Sequence, residues 1–305
     1  MNKILIIIPD KLPQKLIMRG LCRGFKANKY YVLTSFESEL NYDYILSTKP
    51  ELIMSYGGFS SESDVLKKYL KGNKAVKNLV YFADTKNSEA KFPSHTIVFA
   101  SDRYINKKFN YLPLAISSRT YGREFDGYKY TISFVGNPNL LKRVQILAEI
   151  VKVFGNNLAV FCSKKQFDAS IKKIEKYLTK DELVTYKYSY KGFLEDERAI
   201  SQVLNASKIN LNIITKFDMS LNFHAFETLA AGGFLITNNA WAANELFDLA
   251  RDLETYENTY DLVDKIKFYL KRINTAQIIA QNGKAAIRQG HTFKDRVKII
   301  LKAIK

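Results

Sequence analysis

Residues 222–237, NFHAFETLAAGGFLIT, combine a helix pattern, a helix stop and a buried strand in one short stretch. The helix pattern runs from Phe223 to Ala231, ends at the pair Gly232 and Gly233, and is followed directly by the apolar run FLIT. Glycine commonly ends helices because it adopts the left-handed backbone conformation without strain. A helix that returns at once into a buried strand is typical of a parallel α/β sheet.

Apolar β-rich runs alternate with helical patterns on both sides of this stretch. Continuous apolar runs separated by helices predict parallel strands that are covered on both faces. In the first part of the chain, strands are predicted at KILIIIP (3–9), YYVLTS (30–35), ELIMSYG (51–57), NLVYFAD (78–84) and HTIVFAS (95–101), with helices near 13–27, 37–48, 60–71 and 101–109. In the second part, strands are predicted at YTISFVG (130–136), LAVFCS (158–163), TYKYSYKG (185–192), INLNII (209–214) and GFLITN (233–238), with closing helices at 259–272, 275–289 and 292–304.

The chain of 305 residues is long enough for about two hydrophobic cores. The stretch 115–128 is polar, contains two glycines and lacks hydrophobic periodicity, so it is the best linker candidate. The sequence therefore predicts an α/β protein with two Rossmann-like domains, 1–127 and 128–305. We expect the domains to face a cleft at the carboxyl ends of their strands, and the last helix to pack back on the N-terminal domain.

The formal net charge is +17 and the isoelectric point is about 9.6, and the excess of basic residues is spread evenly along the chain. A solvated lysine-rich surface explains this charge, and an anionic partner such as a nucleic acid or a membrane surface is the alternative. No apolar run reaches the roughly 18 residues of a membrane-spanning helix, and the two cysteines, far apart, suggest neither a metal set nor a disulfide framework. We expect a cytoplasmic protein, either free or peripheral to the inner face of the membrane.

A carboxylate lies in the middle of the apolar helix pattern. Glu227 stands between Phe226 and Leu229, and burying a lone carboxylate is costly. Glu227 must therefore have a partner or face a ligand, unless it lies on the solvent side of the helix. His224, one turn earlier, either approaches that ligand or packs among the apolar neighbours.

The segment 222–237, together with SKINLNI (207–213), resembles the donor-binding region of GT-B glycosyltransferases, and above all the CgeB-like (spore maturation protein) glycosyltransferase family. The family pattern is matched by Asn222, Phe226, Glu227, Gly232 or Gly233, and Thr237, while His224 stands where the family has an arginine. The segments NYLPLA (110–115), SFVGN (133–137) and GHTFKDRV (290–297) match in the expected order. The family comparison implies that Glu227 holds the ribose hydroxyls of a nucleotide-sugar donor. A second glutamate, usual eight residues earlier, is replaced by Met219, which leaves retaining chemistry open.

Two strand ends provide further donor-site candidates. Gly136 and Asn137 follow a predicted strand and precede the helix that carries Arg143, so helix N–H groups and a guanidinium can meet diphosphate oxygens there. The alternative is an ordinary turn. Lys191 and Gly192 end another predicted strand, where the lysine would face a phosphate. The alternative is a solvated lysine beside a turn glycine.

Catalytic candidates are fewer. Asp84 ends the run NLVYFAD and is the first candidate for the base that accepts the proton of the acceptor hydroxyl, with capping of a turn as the alternative. His224 is the second catalytic candidate. The acidic run 195–197 stands at a helix start, where capping explains it better than metal binding.

The residues and the resemblance together imply a glycosyltransferase. It would take a sugar from a nucleotide-diphosphate sugar, most simply of the UDP or GDP type, and transfer it to a hydroxyl of a glycan, a lipid or a protein. It would need neither a metal nor a separate cofactor. A basic α/β protein that binds nucleic acid without catalysis is the alternative.

Overall fold

The computed structural model describes residues 2–11, 14–58, 60–83, 92–93, 95–117, 125–215 and 220–305. The chain forms two compact units. The first unit consists of Met1–Ile116 and Gly290–Lys305, and the second unit consists of Ser117–Gln289. The chain therefore leaves the first unit, builds the second, and returns to the first.

Strands and helices alternate along most of the chain. The strands are β1 (Lys3–Ile8), β2 (Tyr31–Phe36), β3 (Leu52–Tyr56), β4 (Lys77–Phe82), β5 (Thr96–Ala100), β6 (Asn110–Tyr111), β7 (Tyr130–Val135), β8 (Leu158–Phe161), β9 (Ser207–Asn212), β10 (Leu235–Asn238) and β11 (Glu254–Tyr256). The helices are α1 (Gln14–Ala27), α2 (Tyr42–Thr48), α3 (Asp64–Gly72), α4 (Leu141–Phe154), α5 (Lys164–Ile174), α6 (Lys180–Tyr188), α7 (Glu197–Asn205), α8 (Phe223–Ala231), α9 (Trp241–Leu246), α10 (Thr259–Lys271), α11 (Ile273–Gly290) and α12 (Phe293–Ala303).

The first unit contains a parallel sheet with strand order β2-β1-β3-β4-β5-β6. The run from Ile4 to Ile8 in β1 is buried, as expected for a strand covered on both faces. All five strands predicted in this part of the chain are confirmed, and the two-residue strand β6 adds an edge that the sequence pattern did not indicate.

The helix predicted at 101–109 is wrong, because this segment forms turns. The Asp102 carboxylate accepts from the Tyr104 N–H at 2.7 Å, and the Asn106 side chain accepts from the Lys108 N–H at 3.0 Å. Such local side-chain bonds compete with helical hydrogen bonds and favour turns.

The helix α12 packs against α1 within the first unit. Gly20 makes this close approach possible, since a Cβ at that position would lie 2.0 Å from the Phe293 ring. The buried Arg296 donates to the carbonyl oxygens of Pro113 at 2.8 Å and Leu114 at 3.0 Å. Thr292 begins the helix through a reciprocal capping box with Asp295. The matched segment 290–297 thus fixes the last helix to the end of the first unit's sheet.

The second unit contains a parallel sheet with strand order β11-β10-β9-β7-β8. The carboxyl ends of β7, β9 and β10 therefore lie side by side at one edge. The helix α8 has the predicted bounds: Asn222 caps its start, and Gly232 ends it in the left-handed conformation with φ +79°.

The strand predicted at 185–192 is wrong. A capping box between Thr179 and Glu182 starts α6, which continues to Tyr188. Tyr186 is buried, with its ring centroid 5.0 Å from that of Phe167. Tyr190 then pairs with β8 in an isolated bridge. Alternating tyrosines suggested a strand, but residues four apart also share one face of a helix.

Candidate functional site

A chain of hydrogen bonds fixes the start of α8 at the carboxyl edge of the second sheet. The Asn222 side chain accepts from the Ala225 N–H at 3.1 Å and donates to the Asn212 side chain at 2.9 Å. Asn212 in turn donates to the Thr237 hydroxyl at 3.0 Å. Two neighbouring strand ends therefore hold the helix in place, and with it the side chains of its first turns.

Glu227 lies inside the protein rather than on the solvent side of α8, with 6% of its surface exposed. Its Oε2 atom lies 3.4 Å from Nδ1 of His224, one turn earlier. The Nε2 atom of His224 is buried and makes no hydrogen bond within the described residues. A buried carboxylate beside a buried ring nitrogen with open bonding capacity is an arrangement suited to the hydroxyl groups of a ligand.

Arg143 lies across the ends of β7 and β9. Its Nε donates to the Ile213 carbonyl at 3.0 Å and its Nη1 to the Asn137 carbonyl at 2.9 Å. Burial lowers the pKa of Arg143, and the nearby Tyr256 acts in the opposite direction. No carboxylate in the described part of the chain pairs with this guanidinium, so its positive charge remains available to an anion.

The N-cap residue of α4 is Leu140, whose side chain accepts no hydrogen bond from the helix. Among the described residues, the N-cap residue therefore offers no side-chain acceptor to the first N–H groups of α4, and a helix start of this kind favours anions. Gly136 is held with φ +142°, which favours glycine, and its own N–H donates to the Phe161 carbonyl at 3.0 Å. Asn137 closes a short turn by accepting from the Asn139 N–H at 3.0 Å. The donors that remain for a phosphate are thus those of the helix start.

Tyr256 ends β11 and was not identified from the sequence. It is 3% exposed, and its hydroxyl makes no hydrogen bond within the described residues. Burial raises the pKa of Tyr256, while Arg143 lowers it. A polar residue at the end of a buried strand was the available signal, as it was for Asn212.

Lys191 and Gly192 lie beside the end of β8. The Lys191 side chain is exposed and donates to the Tyr188 carbonyl at 3.1 Å. Gly192 has φ +99° and its carbonyl accepts from the Cys162 N–H at 2.9 Å. This geometry agrees with the alternative of a solvated lysine and a turn glycine, and the contact with a donor phosphate stays a prediction.

Phe226, Gly232 and Gly233 have structural explanations of their own. Phe226 is buried and its ring centroid lies 6.0 Å from that of Phe247. Gly232 ends α8, and a Cβ on Gly233 would lie 2.6 Å from the Leu204 carbonyl oxygen. These residues shape the helix and the strand that follows it. Their contact with a donor stays a prediction.

Two residues named above, Asp84 and Met219, lie outside the described residues. The proposed acceptor base and the replaced second glutamate therefore stay sequence-based expectations.

The acidic run 195–197 is explained by capping, as predicted, because Asp196 accepts from the Ala199 N–H at 2.7 Å at the start of α7. In the described residues, no group of three or more His, Cys, Asp or Glu side chains is arranged to hold a metal ion. None of the described helices has the length and apolar character needed to cross a membrane.

Residues 141–302 match the family model of glycosyl transferase-like proteins. No curated protein matches the chain in sequence. In fold, the chain is similar to a glycosyltransferase from Rickettsia africae, with TM-score 0.71 and 12% identity over 100% of this chain and 98% of that one. It is also similar to sucrose-phosphate synthase from Thermosynechococcus elongatus, with TM-score 0.69 and 10% identity over 99% and 98%.

A third similar structure is HepE from Anabaena in complex with UDP and glucose, with TM-score 0.68 and 10% identity over 100% of this chain and 99% of that one. These likenesses cover both units. They confirm the predicted α/β fold with two parallel sheets, the fold of GT-B enzymes.

Proposed function

This chain belongs to the glycosyl transferase-like family, and from that premise we propose that it transfers a sugar from a nucleotide-diphosphate sugar to a hydroxyl group. The observation that carries the proposal is that one sheet holds Arg143, the uncapped start of α4 and the start of α8 at the carboxyl ends of its strands, with the buried Glu227 in the first turns of α8. Ligands of open α/β sheets bind at that edge.

The donor is assigned to these groups by their chemistry. The Arg143 guanidinium and the first N–H groups of α4 supply positive charge for the diphosphate. The Glu227 carboxylate accepts hydrogen bonds from the ribose hydroxyls. HepE is known in complex with UDP and with UDP-glucose, which supports UDP as the nucleotide, with GDP as the other candidate. The CgeB-like subgroup is proposed on the pattern that Asn222, Phe226, Glu227 and Thr237 share with it.

The transfer forms a bond between the acceptor oxygen and the anomeric carbon, and it breaks the bond from that carbon to the diphosphate. The nucleoside diphosphate leaves, and the acceptor proton passes to a base. Arg143 and the start of α4 stabilise the departing negative charge, which supports a metal-independent reaction. Asp84 is proposed as the base because it follows β4 in the chain. His224 is proposed to approach the sugar or the phosphates through Nε2.

A panel of nucleotides tests the proposed function. Thermal melts and calorimetry with UDP, GDP, dTDP and CMP are run in Mg²⁺ and in EDTA. A ligand present at 100 times its Kd raises the free energy of unfolding by about 2.7 kcal/mol. We expect UDP to give the largest shift, equal in both buffers. Absence of a shift with every nucleotide and its sugar conjugate would refute the nucleotide-sugar proposal, and a shift only in Mg²⁺ would refute metal independence.

The net charge of +17 supports a proposal about location, namely weak association of a cytoplasmic enzyme with an anionic membrane surface. Each basic residue near such a surface contributes about 1 kcal/mol of attraction. The acceptor is a glycan, a lipid or a protein, and a lipid-linked acceptor would be met there. We expect co-sedimentation with phosphatidylserine vesicles that disappears at high salt. Equal sedimentation with neutral vesicles would argue against this location. Nucleic-acid binding without catalysis is the alternative, supported by the same charge and by the 19 tyrosines, and it predicts strongly salt-dependent binding to DNA or RNA.

A further inference from the structure

A cavity lies in the second unit, at the edge of the sheet opposite to Arg143 and the start of α8. Its walls include Ser207, which begins β9, and Phe234, which directly precedes β10. The strands are parallel, so this edge holds their amino ends and lies roughly 17 Å from the carboxyl edge at about 3.3 Å per residue. The cavity has a volume of about 610 Å³, within the range of about 300–1,000 Å³ that small-molecule sites occupy.

One face of α11 lines this cavity with polar side chains. Gln277, Gln281, Lys284 and Arg288 follow one another at intervals of four, three and four residues. These intervals place all four on the same side of a helix. Ala280, between them, is small and leaves room in front of the helix. The sequence pattern alone would assign this face to solvent.

The lining is cationic. Lys284 and Arg288 line the cavity, and no carboxylate of the described residues does. Lys284 is explained by its position beside the carboxyl end of α8. A Cβ added to Gly232, which ends that helix, would lie 3.6 Å from the Lys284 Nζ atom. A positive charge is favourable at this end of a helix. Arg288 lies one turn further along, is exposed, and makes no ion pair or hydrogen bond within the described residues. A second cation at this place is explained by an anionic ligand.

Part of the lining is aromatic. The rings of Phe125 and Tyr128, which both line the cavity, lie 4.7 Å apart at 63°. Burial raises the pKa of Tyr128 and the Gln277 side chain lowers it, so the aromatic pair adjoins the polar face of α11. Apolar ring faces beside amide donors and acceptors suit a ring that carries hydroxyl groups.

We propose that this cavity binds a small phosphorylated sugar. The phosphate lies against Arg288 and Lys284, and the sugar ring lies between the aromatic pair and Gln281. The proposal is independent of the groups assigned to the donor diphosphate and ribose, since neither Arg143 nor Glu227 lines this cavity.

Calorimetry on the full chain tests the proposal with a panel of hexose 1-phosphates and hexose 6-phosphates, with glucose and inorganic phosphate as partial ligands. We expect one or more hexose phosphates to bind more tightly than either partial ligand. Arg288→Gln is expected to weaken that binding at least tenfold, the size of a lost charged hydrogen bond. Lys271→Gln removes an equal charge from the exposed end of α10 and is expected to leave the affinity unchanged.

The outcomes separate this site from the donor site. Glu227→Gln is expected to leave hexose phosphate binding unchanged while it weakens UDP binding. The proposal is overturned if no hexose phosphate binds, or if its affinity is the same in Arg288→Gln as in the wild type. It is also overturned if Arg288→Gln weakens UDP instead, because the cavity would then be a nucleotide site. A thermal melt of each variant establishes that it is folded.

Discussion

Replacing Arg143 by glutamine is expected to lower kcat/KM for sugar transfer about 100-fold, with most of the loss in kcat. The guanidinium lies beside the start of α4 and pairs with no carboxylate of the described residues. A fixed positive charge stabilises the leaving diphosphate more strongly in the transition state than in the bound donor. Steady-state kinetics with the nucleotide sugar selected by the nucleotide panel measure the change.

The controls for Arg143 separate charge at the diphosphate from general damage. Lys152→Gln removes an exposed charge from the other end of α4 and is expected to keep wild-type kinetics. Arg143→Gln also removes a donor from the Ile213 and Asn137 carbonyls, so we expect a loss of about 1–3 kcal/mol in the free energy of unfolding. In the folded variant, UDP affinity should fall while uridine affinity does not, because uridine has no diphosphate. Unchanged kcat/KM, or equal losses for both ligands, would contradict the assigned role.

Replacing Glu227 by glutamine is expected to weaken the binding of UDP and of uridine alike, about 10-fold to 100-fold. The reason is that the ribose is common to both ligands, and the two oxygens of a carboxylate can accept from two hydroxyls, whereas an amide has only one accepting oxygen. Glutamine has nearly the same volume, so the packing of α8 and the neighbouring His224 is preserved. Calorimetry with the two ligands measures the effect.

The matched control for Glu227 is Glu245→Gln, which neutralises an exposed carboxylate in α9. Its affinities for UDP and uridine are expected to equal those of the wild type. A folded Glu227→Gln variant with wild-type affinity for both ligands would remove Glu227 from the donor site. A loss of affinity for UDP but not for uridine would indicate that Glu227 contacts the diphosphate rather than the ribose.

The sequence predicted those parts of the fold whose signals are local. The helix α8 has the predicted bounds because its cap, Asn222, and its stop, Gly232, adjoin it in the chain. The helix predicted at 101–109 and the strand predicted at 185–192 are wrong because each hydropathy pattern fits more than one secondary structure. Local side-chain hydrogen bonds, which a hydropathy pattern does not contain, favour turns in the first segment and a helix start before the second. Tyr186 was placed in a strand, whereas the structure has it in α6, buried against Phe167.

In the candidate site, too, the features with local sequence signals were predicted and those that depend on distant residues were not. The burial of Glu227 followed from its apolar neighbours in sequence, and the structure confirms that burial. The bond from Arg143 to the Ile213 carbonyl joins residues 70 positions apart, and no local pattern encodes it. Asn212 and Tyr256 could be assigned to the candidate site only from the strand order, which places the ends of β9 and β11 in the same sheet as the end of β7. Their polar character in buried strands was the signal that the sequence offered.

The return of the chain to the first unit at residue 290 has a consequence for synthesis on the ribosome. All of Ser117–Gln289 emerges before α12 does, whereas the first unit still lacks the helix that packs on α1 and whose Arg296 binds the Leu114 carbonyl. Domains generally fold as units as they emerge, at about 5–20 residues per second. The second unit can therefore complete its core first, and the part of the chain made earliest is the part that waits longest for its final contacts.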